Sequence, residues 1–557
     1  MTLDWKRISP WLWGGLWLVM MSGAFLFRPI LPVDETRYLS VAWEMWLRDD
    51  YLVPHLNGAT YSHKPPLLFW LINAGWGIFG VTDWWPRLVA PTFGLGCLYL
   101  TARLGKRLWP DQPIYLMAPF LLMGTFYWAI YTTLTMFDLI MCFWTLLGLH
   151  GLLDVLNGKN LRGWCIFAFA IGMGVLSKGP VTLVYLLPAA LFAPYWCAAP
   201  LNAVKWYAGL ILATVGGAVL ALGWAIPAGF SGGEDYRNAI FWGQSAGRVV
   251  GSFAHGKPFW WYLAVLPGLV LPWLLWPTLW KTAWQKAWFF RTADPSAARS
   301  PDRGIRLTLI WSVATIVILS AVSGKRPHYL LPMFPALALL VSYLIVMHAQ
   351  GRFIRGRLDV LPFAFVSLLL ATALLFAPEI GAAADKSVWV DPTTRIWSGL
   401  LFLITLVLLW RPPQEGISRL LSIAATSAAT IWIIHAVASP ALSRAYDMRP
   451  VAAYVADQQK QGIAVANFGK YHGQFNFLGR LTKPVAVTGQ GNVVNWLEDH
   501  PKAKIISYYD KLEAHDKPEF THPFRGKTIA VWDRRTILAY PLVATRNSGG
   551  RRLPARK

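Results

Sequence analysis

Charge is what this chain has least of. Only 14% of its 557 residues are Asp, Glu, Lys or Arg, against about 25% in an average soluble domain. That shortfall excludes an ordinary water-soluble enzyme, and a chain that is 55% hydrophobic is neither disordered nor collagen-like. Acid is scarcer than base, with 28 Asp and Glu against 51 Lys and Arg. Cysteine is nearly absent. The four present, Cys97, Cys142, Cys165 and Cys197, lie in apolar stretches and read as packing residues, not as a disulfide framework. The sequence has no Gly-rich phosphate loop, nucleotide-binding fingerprint, internal repeat or low-complexity linker. Long apolar runs and 32 Trp remain, the composition of a polytopic membrane protein.

A bilayer core about 30 Å thick takes about 20 apolar residues as a helix. Thirteen spans are expected, near 11–27, 86–104, 112–130, 139–155, 162–177, 179–196, 203–226, 258–280, 308–323, 328–348, 360–378, 395–410 and 417–437. The first is flanked by Lys6 and Arg7. It is too bulky for a signal peptide, lacks a small-residue cleavage site, and reads as a retained anchor. Residues 65–80 are apolar but short, start on Pro-Pro and contain Asn73, Gly75 and Gly77. They are expected to lie at the interface without crossing.

Loop charges support that assignment. With 65–80 not crossing, one side holds basic clusters such as Arg103, Lys106 and Arg107, or Arg352, Arg355 and Arg357. Short connections on the other side hold only Lys178, Lys325, Arg326, Lys386 and Arg395. The excess marks the cytoplasmic side. The opposite face then carries a long first loop (28–85), a second long loop (227–257) and the tail. The division expected is a transmembrane domain, 1–437, and a soluble periplasmic domain, 438–557. In the tail the runs GIAVANFG, KAKIISYYD and KTIAVWD read as strands of a small α/β domain. The tail has 19 Lys and Arg against 9 Asp and Glu, but no recognition helix or other nucleic-acid motif. Anionic lipid or a phosphorylated glycolipid is the expected counter-charge, and no nucleic acid is expected.

Polar residues gather on that same face. Charged residues beside a bilayer mark function when they cluster. Asp34-Glu35-Thr36-Arg37-Tyr38 follows the first span. Adjacent acids there are expected to raise one another's pKa, which suits a general base; a helix cap with a snorkelling Arg37 fits equally well. In Tyr61-Ser62-His63-Lys64-Pro65-Pro66 a Lys and a His oppose a helix macrodipole, which makes sense if a phosphate sits between them; the alternative is headgroup snorkelling. Asp138 is a lone acid at the mouth of an apolar hairpin, a functional acid or equally a cap or ion pair. Ser177-Lys178-Gly179-Pro180, Arg248 with His255, and Ser323-Gly324-Lys325-Arg326-Pro327-His328-Tyr329 complete the set. Several cations beside one or two acids are what transfer from a lipid phosphate needs: the cations hold the leaving phosphate and an acid orients or deprotonates the acceptor. His55, His63, His255 and His328 lack metal-ligand spacing, so no cofactor is expected and a divalent metal has no support from spacing.

The order Asp-Glu after the first span, Lys-Pro-Pro at 64–66, Trp-Pro-Arg-Leu at 85–88, Asp138 after a Thr-x-x hairpin, Lys-Gly-Pro at 178–180 and Lys-x-x-x-Tyr at 325–329 resembles a known pattern. It is similar to the bacterial aminoarabinose-transferase and protein-mannosyltransferase-like family of C-type integral membrane glycosyltransferases, over roughly residues 5–345. The resemblance implies an all-α polytopic membrane bundle with a small C-terminal α/β periplasmic domain, working as an inverting, polyprenyl-phosphate-sugar-dependent glycosyltransferase in the bacterial inner membrane. It implies catalytic roles for Asp34, Glu35 and Asp138. Lys64 and Arg248, helped by Lys178 and Lys325, would hold the polyprenyl phosphate, and Tyr329 would shape that pocket. Arg37, Tyr38, His63 and His255 would be acceptor-side or structural. The chain departs from the pattern at His63, where the family carries an acid before Lys-Pro.

The function implied is transfer of 4-amino-4-deoxy-L-arabinose, or another amino sugar, from undecaprenyl phosphate to lipid A, by a monomer in contact with membrane lipid. The alternatives are a protein or glycan O-glycosyltransferase, a transporter or lipid flippase, and a receptor whose tail does the work. Transporters usually show internal repeats and polar residues near the bilayer midplane; here the polar set sits at one rim.

Overall fold

Long apolar runs build a helical bundle here, and its longest helices pass through internal prolines. The structure, a computed structural model, describes residues 4–197, 200–243, 256–281, 284, 303–349, 360–379, 394–410, 412–413 and 416–539. Among the described residues, eight helices are long and apolar enough to cross a membrane. They include α1 (Trp5–Phe27), α4 (Trp84–Leu108), α7 (Phe137–Leu156), α8 (Asn160–Lys178), α11 (Ala203–Ser231), α14 (Arg303–Ala321) and α18 (Gly416–Ala445). The eighth joins the 3-10 turn Pro327–Met333 to α15 (Phe334–Ala349). The pair α5 (Ile114–Gly124) and α6 (Phe126–Thr132), bent by 78°, makes a ninth if it counts as one broken span.

The remaining expected spans are short or broken helices. They are α9 (Thr182–Leu191) followed by α10 (Ala193–Trp196), α13 (Trp261–Leu269) with the 3-10 turn Trp273–Leu275, α16 (Leu361–Leu375) and α17 (Thr394–Trp410). Pro188 and Pro267 sit inside the shortest of these, and at 1.5 Å per residue a 10-residue helix reaches only about 15 Å. Conversely α11 runs on through Pro227 to Ser231, so the second long loop starts later than its hydropathy edge suggested. α3 (Leu67–Phe79), after Pro66, has 13 residues, about 20 Å, short of a bilayer core.

The bend between α5 and α6 would strand backbone groups in an apolar interior, where each needs a partner. The Thr125 hydroxyl donates to the Leu121 carbonyl at 2.8 Å, and the Trp273 indole donates to the same carbonyl at 2.9 Å. Phe126 N–H finds the Leu271 carbonyl at 3.1 Å. The bend delivers the chain to the rim where α7 begins.

α7 is the most enclosed crossing, and its close approach to α8 needs glycine on both sides. A Cβ on Gly151 would lie 2.7 Å from the Gly163 carbonyl, and one on Gly163 would lie 2.6 Å from that of Gly151. α11 instead faces outward along most of its length, with Ile211, Leu212, Val219 and Phe230 exposed. Cys97 and Cys142 are buried as expected, but Cys165 is exposed, on the outward face of α8.

Between α1 and α3 lie α2 (Asp34–Arg48) and a two-stranded ribbon, β1 (His55–Leu56) and β2 (Ala59–Thr60). The chain passes 227–243 through α12 (Glu234–Asn238). The tail opens with α19 (Arg449–Lys460) and builds a five-stranded sheet from β3 (Val465–Phe468), β4 (Ala486–Thr488), β5 (Lys504–Tyr509), β6 (Phe520–Phe524) and β7 (Lys527–Asp533), with α20 (Val493–Asp499) and α21 (Arg534–Ala539). Strand order is β4-β3-β5-β7-β6. β3 is parallel to β4 and β5, while β7 is antiparallel to β5 and β6. The two strands the sequence pattern missed are the edges. β4 has three residues, and β6 contains Pro523, which only an edge accommodates easily.

The sheet unit is keyed to the first loop. The Trp43 indole donates to the Leu481 carbonyl at 2.9 Å, and the Ser40 hydroxyl to that of Gly473 at 2.6 Å. Phe477 stacks on Trp76 with ring centroids 5.2 Å apart, and Arg480 pairs with Asp83 at 2.6 Å.

Candidate active site

Asp34 and Glu35 open α2, where the helix dipole favours negative charge. Successive side chains on a helix diverge by about 100°, and the two carboxylates go separate ways. Glu35 is buried. It pairs with the equally buried Arg28 and accepts from Leu31 N–H and Thr135 N–H, each at 2.8 Å. Arg28 also donates to the Thr133 carbonyl at 2.7 Å. Burial alone would raise the Glu35 carboxyl; the Arg28 charge and these hydrogen bonds outweigh it and hold the group below the ordinary glutamate value. The expected mutual elevation of the two acids is therefore not seen at Glu35, whose work is to clamp the first loop to the hairpin before α7.

Asp34 turns to the open side, with its side chain 40% exposed. It pairs with Arg37, and the Tyr38 hydroxyl lies 3.5 Å away. Burial, then the Asp34 charge, pushes the Tyr38 phenol well above its usual value. The Tyr38 ring meets Phe137 edge-on at 4.8 Å, and Phe69 packs against both. Lys64 stands with its ammonium 5.4 Å from the Phe137 ring centre. Thus the first loop, α3 and the start of α7 share one aromatic seam, with Asp34 at one end and Lys64 at the other.

Asp138 is the second residue of α7 and Lys178 the last of α8. Each occupies the helix end whose dipole favours it, and the glycine contact between the two helices brings them together. They form a buried ion pair. The Lys178 ammonium also lies 4.6 Å from the centre of the Tyr329 ring. The Tyr329 carbonyl accepts from the Tyr185 hydroxyl at 2.7 Å, which fixes the ring's mount. The charges of Lys178 and Lys64 both reach Asp138.

Lys325 sits apart from this group. It is buried and donates to the Lys257 and Val322 carbonyls at 3.1 and 2.5 Å, tying residue 257 to the 322–325 turn. The charge of the neighbouring Arg326 reaches Tyr131 and, after those of Lys178 and Lys64, His328. His63 stacks on Tyr61 at 5.3 Å. Arg248 and His255 lie outside the described residues. Among the described residues no three His, Cys, Asp or Glu side chains gather to hold a metal.

Three contributors were not found from the sequence. Tyr131 bonds His328 Nδ1 at 3.0 Å and lies within electrostatic reach of both Asp34 and Asp138. Its signal was the Tyr127-x-x-x-Tyr131 spacing leading into the hairpin. Tyr185 sits in mid-helix with no polar neighbour in sequence to draw notice. His472 comes from the tail, beside the Gly473 carbonyl that Ser40 holds. Burial, and then the Arg37 and Lys470 cations, push its imidazole below the ordinary histidine value.

The rim thus combines one accessible carboxylate, a buried acid–base pair and further cations around an aromatic floor. Comparison with known proteins matches residues 63–227 to the family model for dolichyl-phosphate-mannose-protein mannosyltransferase. The chain is 30% identical over 433 residues to undecaprenyl phosphate-alpha-4-amino-4-deoxy-L-arabinose arabinosyl transferase 1 of Pseudomonas fluorescens, covering 73% of this chain and 74% of that one. It is 29% identical over 346 residues to the corresponding transferase of Pseudomonas aeruginosa, covering 60% of this chain and 59% of the relative. The fold is similar to that of ArnT from Cupriavidus metallidurans in the apo state (TM-score 0.69, 16% identity, 95% of this chain and 97% of that one). It is equally similar to the same protein bound to undecaprenyl phosphate (TM-score 0.70, 16% identity, 95% and 98%). With that extent of shared sequence, the chain belongs to the undecaprenyl phosphate-alpha-4-amino-4-deoxy-L-arabinose arabinosyl transferase family.

Proposed function

We propose that this chain moves 4-amino-4-deoxy-L-arabinose, or another amino sugar, from undecaprenyl phosphate to lipid A, as a monomer, at the periplasmic face of the bacterial inner membrane. The observation that carries the reading is the exposed Asp34 carboxylate across one aromatic seam from Lys64 and the buried Asp138–Lys178 pair. In the transfer the bond from sugar C1 to the donor phosphate breaks, and undecaprenyl phosphate leaves with the electron pair. An acceptor oxygen forms the new bond at C1. Lys64, with Arg326 nearby, meets the negative charge that grows on the leaving phosphate, where charge stabilisation contributes most. Lys178, held by Asp138 and Tyr329, keeps positive charge in the floor. Asp34 orients the acceptor. A lipid A phosphate is already largely ionised near neutral pH, since such second pKa values lie near 6, so little proton abstraction is needed.

Mass spectrometry of lipid A from cells with and without the gene tests the acceptor; an unchanged profile where the protein is made would remove lipid A. In a reconstituted assay Lys64→Ala is expected to raise the donor KM about 10- to 100-fold, the value of one charge-assisted hydrogen bond. Asp34→Asn is expected to cost about tenfold in turnover, as loss of one orienting contact. A wild-type donor KM in Lys64→Ala, or wild-type turnover in Asp34→Asn, would remove that residue from the site. The mannosyltransferase match over 63–227 favours a second reading, O-glycosylation of a hydroxyl. That acceptor needs a true base, and Asp34→Asn would then cost about 10²–10⁴ in rate. The family is one of transferases, and the transporter reading is not kept.

A further inference from the structure

The Trp-Pro-Arg-Leu run at 85–88 plays no part in the transfer site, yet its arginine lines a cavity. The space measures about 210 Å³ and lies where the end of α1, the start of α4, the last turns of α18 and the start of α19 meet. Its polar lining is Arg28, Arg87, Arg449, Asp83, Asp447 and two hydroxyls, Ser439 and Ser443. Two of the cations are matched: Arg449 grips Asp447 at 2.6 Å, and Arg28 pairs with Glu35. Asp83 is matched by Arg480.

Arg87 is different. One of its terminal nitrogens donates to the Ala24 and Arg28 carbonyls at 2.5 and 2.9 Å, and its guanidinium lies 4.5 Å from the Phe25 ring centre. Among the described residues no carboxylate comes within ion-pair distance of it. The N-terminus of α4 opens at the same place, after Asp83, while the first N–H of α19 is already taken by the Asp447 carboxylate at 3.0 Å. An unmatched guanidinium beside the N-terminus of α4 is complementary to an anion. Leu26, which lines the cavity, is 70% exposed at the end of a helix long and apolar enough to cross a membrane. A water occupies about 30 Å³ in the liquid, so a phosphate group fits.

We infer that this cavity is a second anion site, separate from the transfer rim, that takes the phosphate of a membrane lipid headgroup and bridges the bundle to the sheet unit. Two helices of the bundle, α1 and α4, meet the α18–α19 junction around it, so a bound phosphate would add to the Arg480–Asp83, Trp43, Ser40 and Trp76 contacts that already tie the bundle to the sheet unit.

The test uses the full chain in phosphatidylcholine nanodiscs containing phosphatidylglycerol, with retained lipid identified by native mass spectrometry. Ser443 is exposed, so Ser443→Glu puts a carboxylate in the cavity without disturbing the core. Arg87→Gln is the second variant. Wild type is expected to retain phosphatidylglycerol over phosphatidylcholine, with retention falling about tenfold in Ser443→Glu and in Arg87→Gln. A parallel arm titrates inorganic phosphate in detergent against thermal unfolding. Stabilisation of wild type but not Ser443→Glu, without lipid retention, would support the anion site and name free phosphate as its source. Equal lipid retention and equal phosphate response in wild type and Ser443→Glu would overturn the inference.

Discussion

Lys178→Ala is expected to destabilise the protein by about 3–5 kcal/mol and to abolish transfer. The reason is asymmetry. Removing one partner of a buried ion pair leaves a charge with neither water nor counter-ion. Asp138 is 2% exposed, and the Lys178 side chain 5%. The double variant Lys178→Ala/Asp138→Ala removes both charges and is expected to recover most of the lost stability while staying inactive. Thermal unfolding in detergent and the transfer assay, read together, separate the two contributions. If the double variant regained activity, the pair would be structural only. If Lys178→Ala unfolded like wild type, Asp138 would have to find another cation, with Lys64 the nearest candidate.

Glu35→Gln is expected to have the second largest effect, again about 3–5 kcal/mol, because it leaves Arg28 charged and buried. It also carries a pH signature. The folded-state pKa of Glu35 lies below its unfolded value, near 4.5. Its contribution is therefore fully present above that value and is lost as pH falls through the lower, folded one. Wild type should lose stability along that acid limb, and Glu35→Gln should show a shallower one. Unfolding midpoints measured from neutral to acid pH check this; identical acid limbs would mean that Glu35 carries no such linkage. Transfer should fall less than stability does, since Glu35 positions the loop that bears Asp34 and does not face the open side.

The contrast between Glu35 and Lys325 shows where sequence reading stops. Both carried the right charge in the right segment. The helical phase of α2 and a partner seven residues back turned Glu35 into a clamp, and two carbonyls drew Lys325 into a turn. Arg326, one residue on, took the place beside His328. Tyr131, Tyr185 and His472 join the site through packing of distant segments, for which no local pattern exists. The edge strands β4 and β6 were hidden for a related reason: short or proline-bearing edges lack the apolar alternation that marks a central strand.

Hydropathy and charge add up locally along the chain, so the sequence by itself determined that this is a membrane-embedded bundle with a small α/β tail, basic at one end and carrying its acid–cation set at the other. Only the tertiary structure decided who pairs with whom. The Gly151–Gly163 contact sets α7 against α8 and so gives Asp138 to Lys178, while the bend at Thr125 and the Glu35 clamp carry Asp34 to the same rim. Those choices depend on ångström-scale approach between residues tens to hundreds of positions apart, which composition and periodicity do not encode.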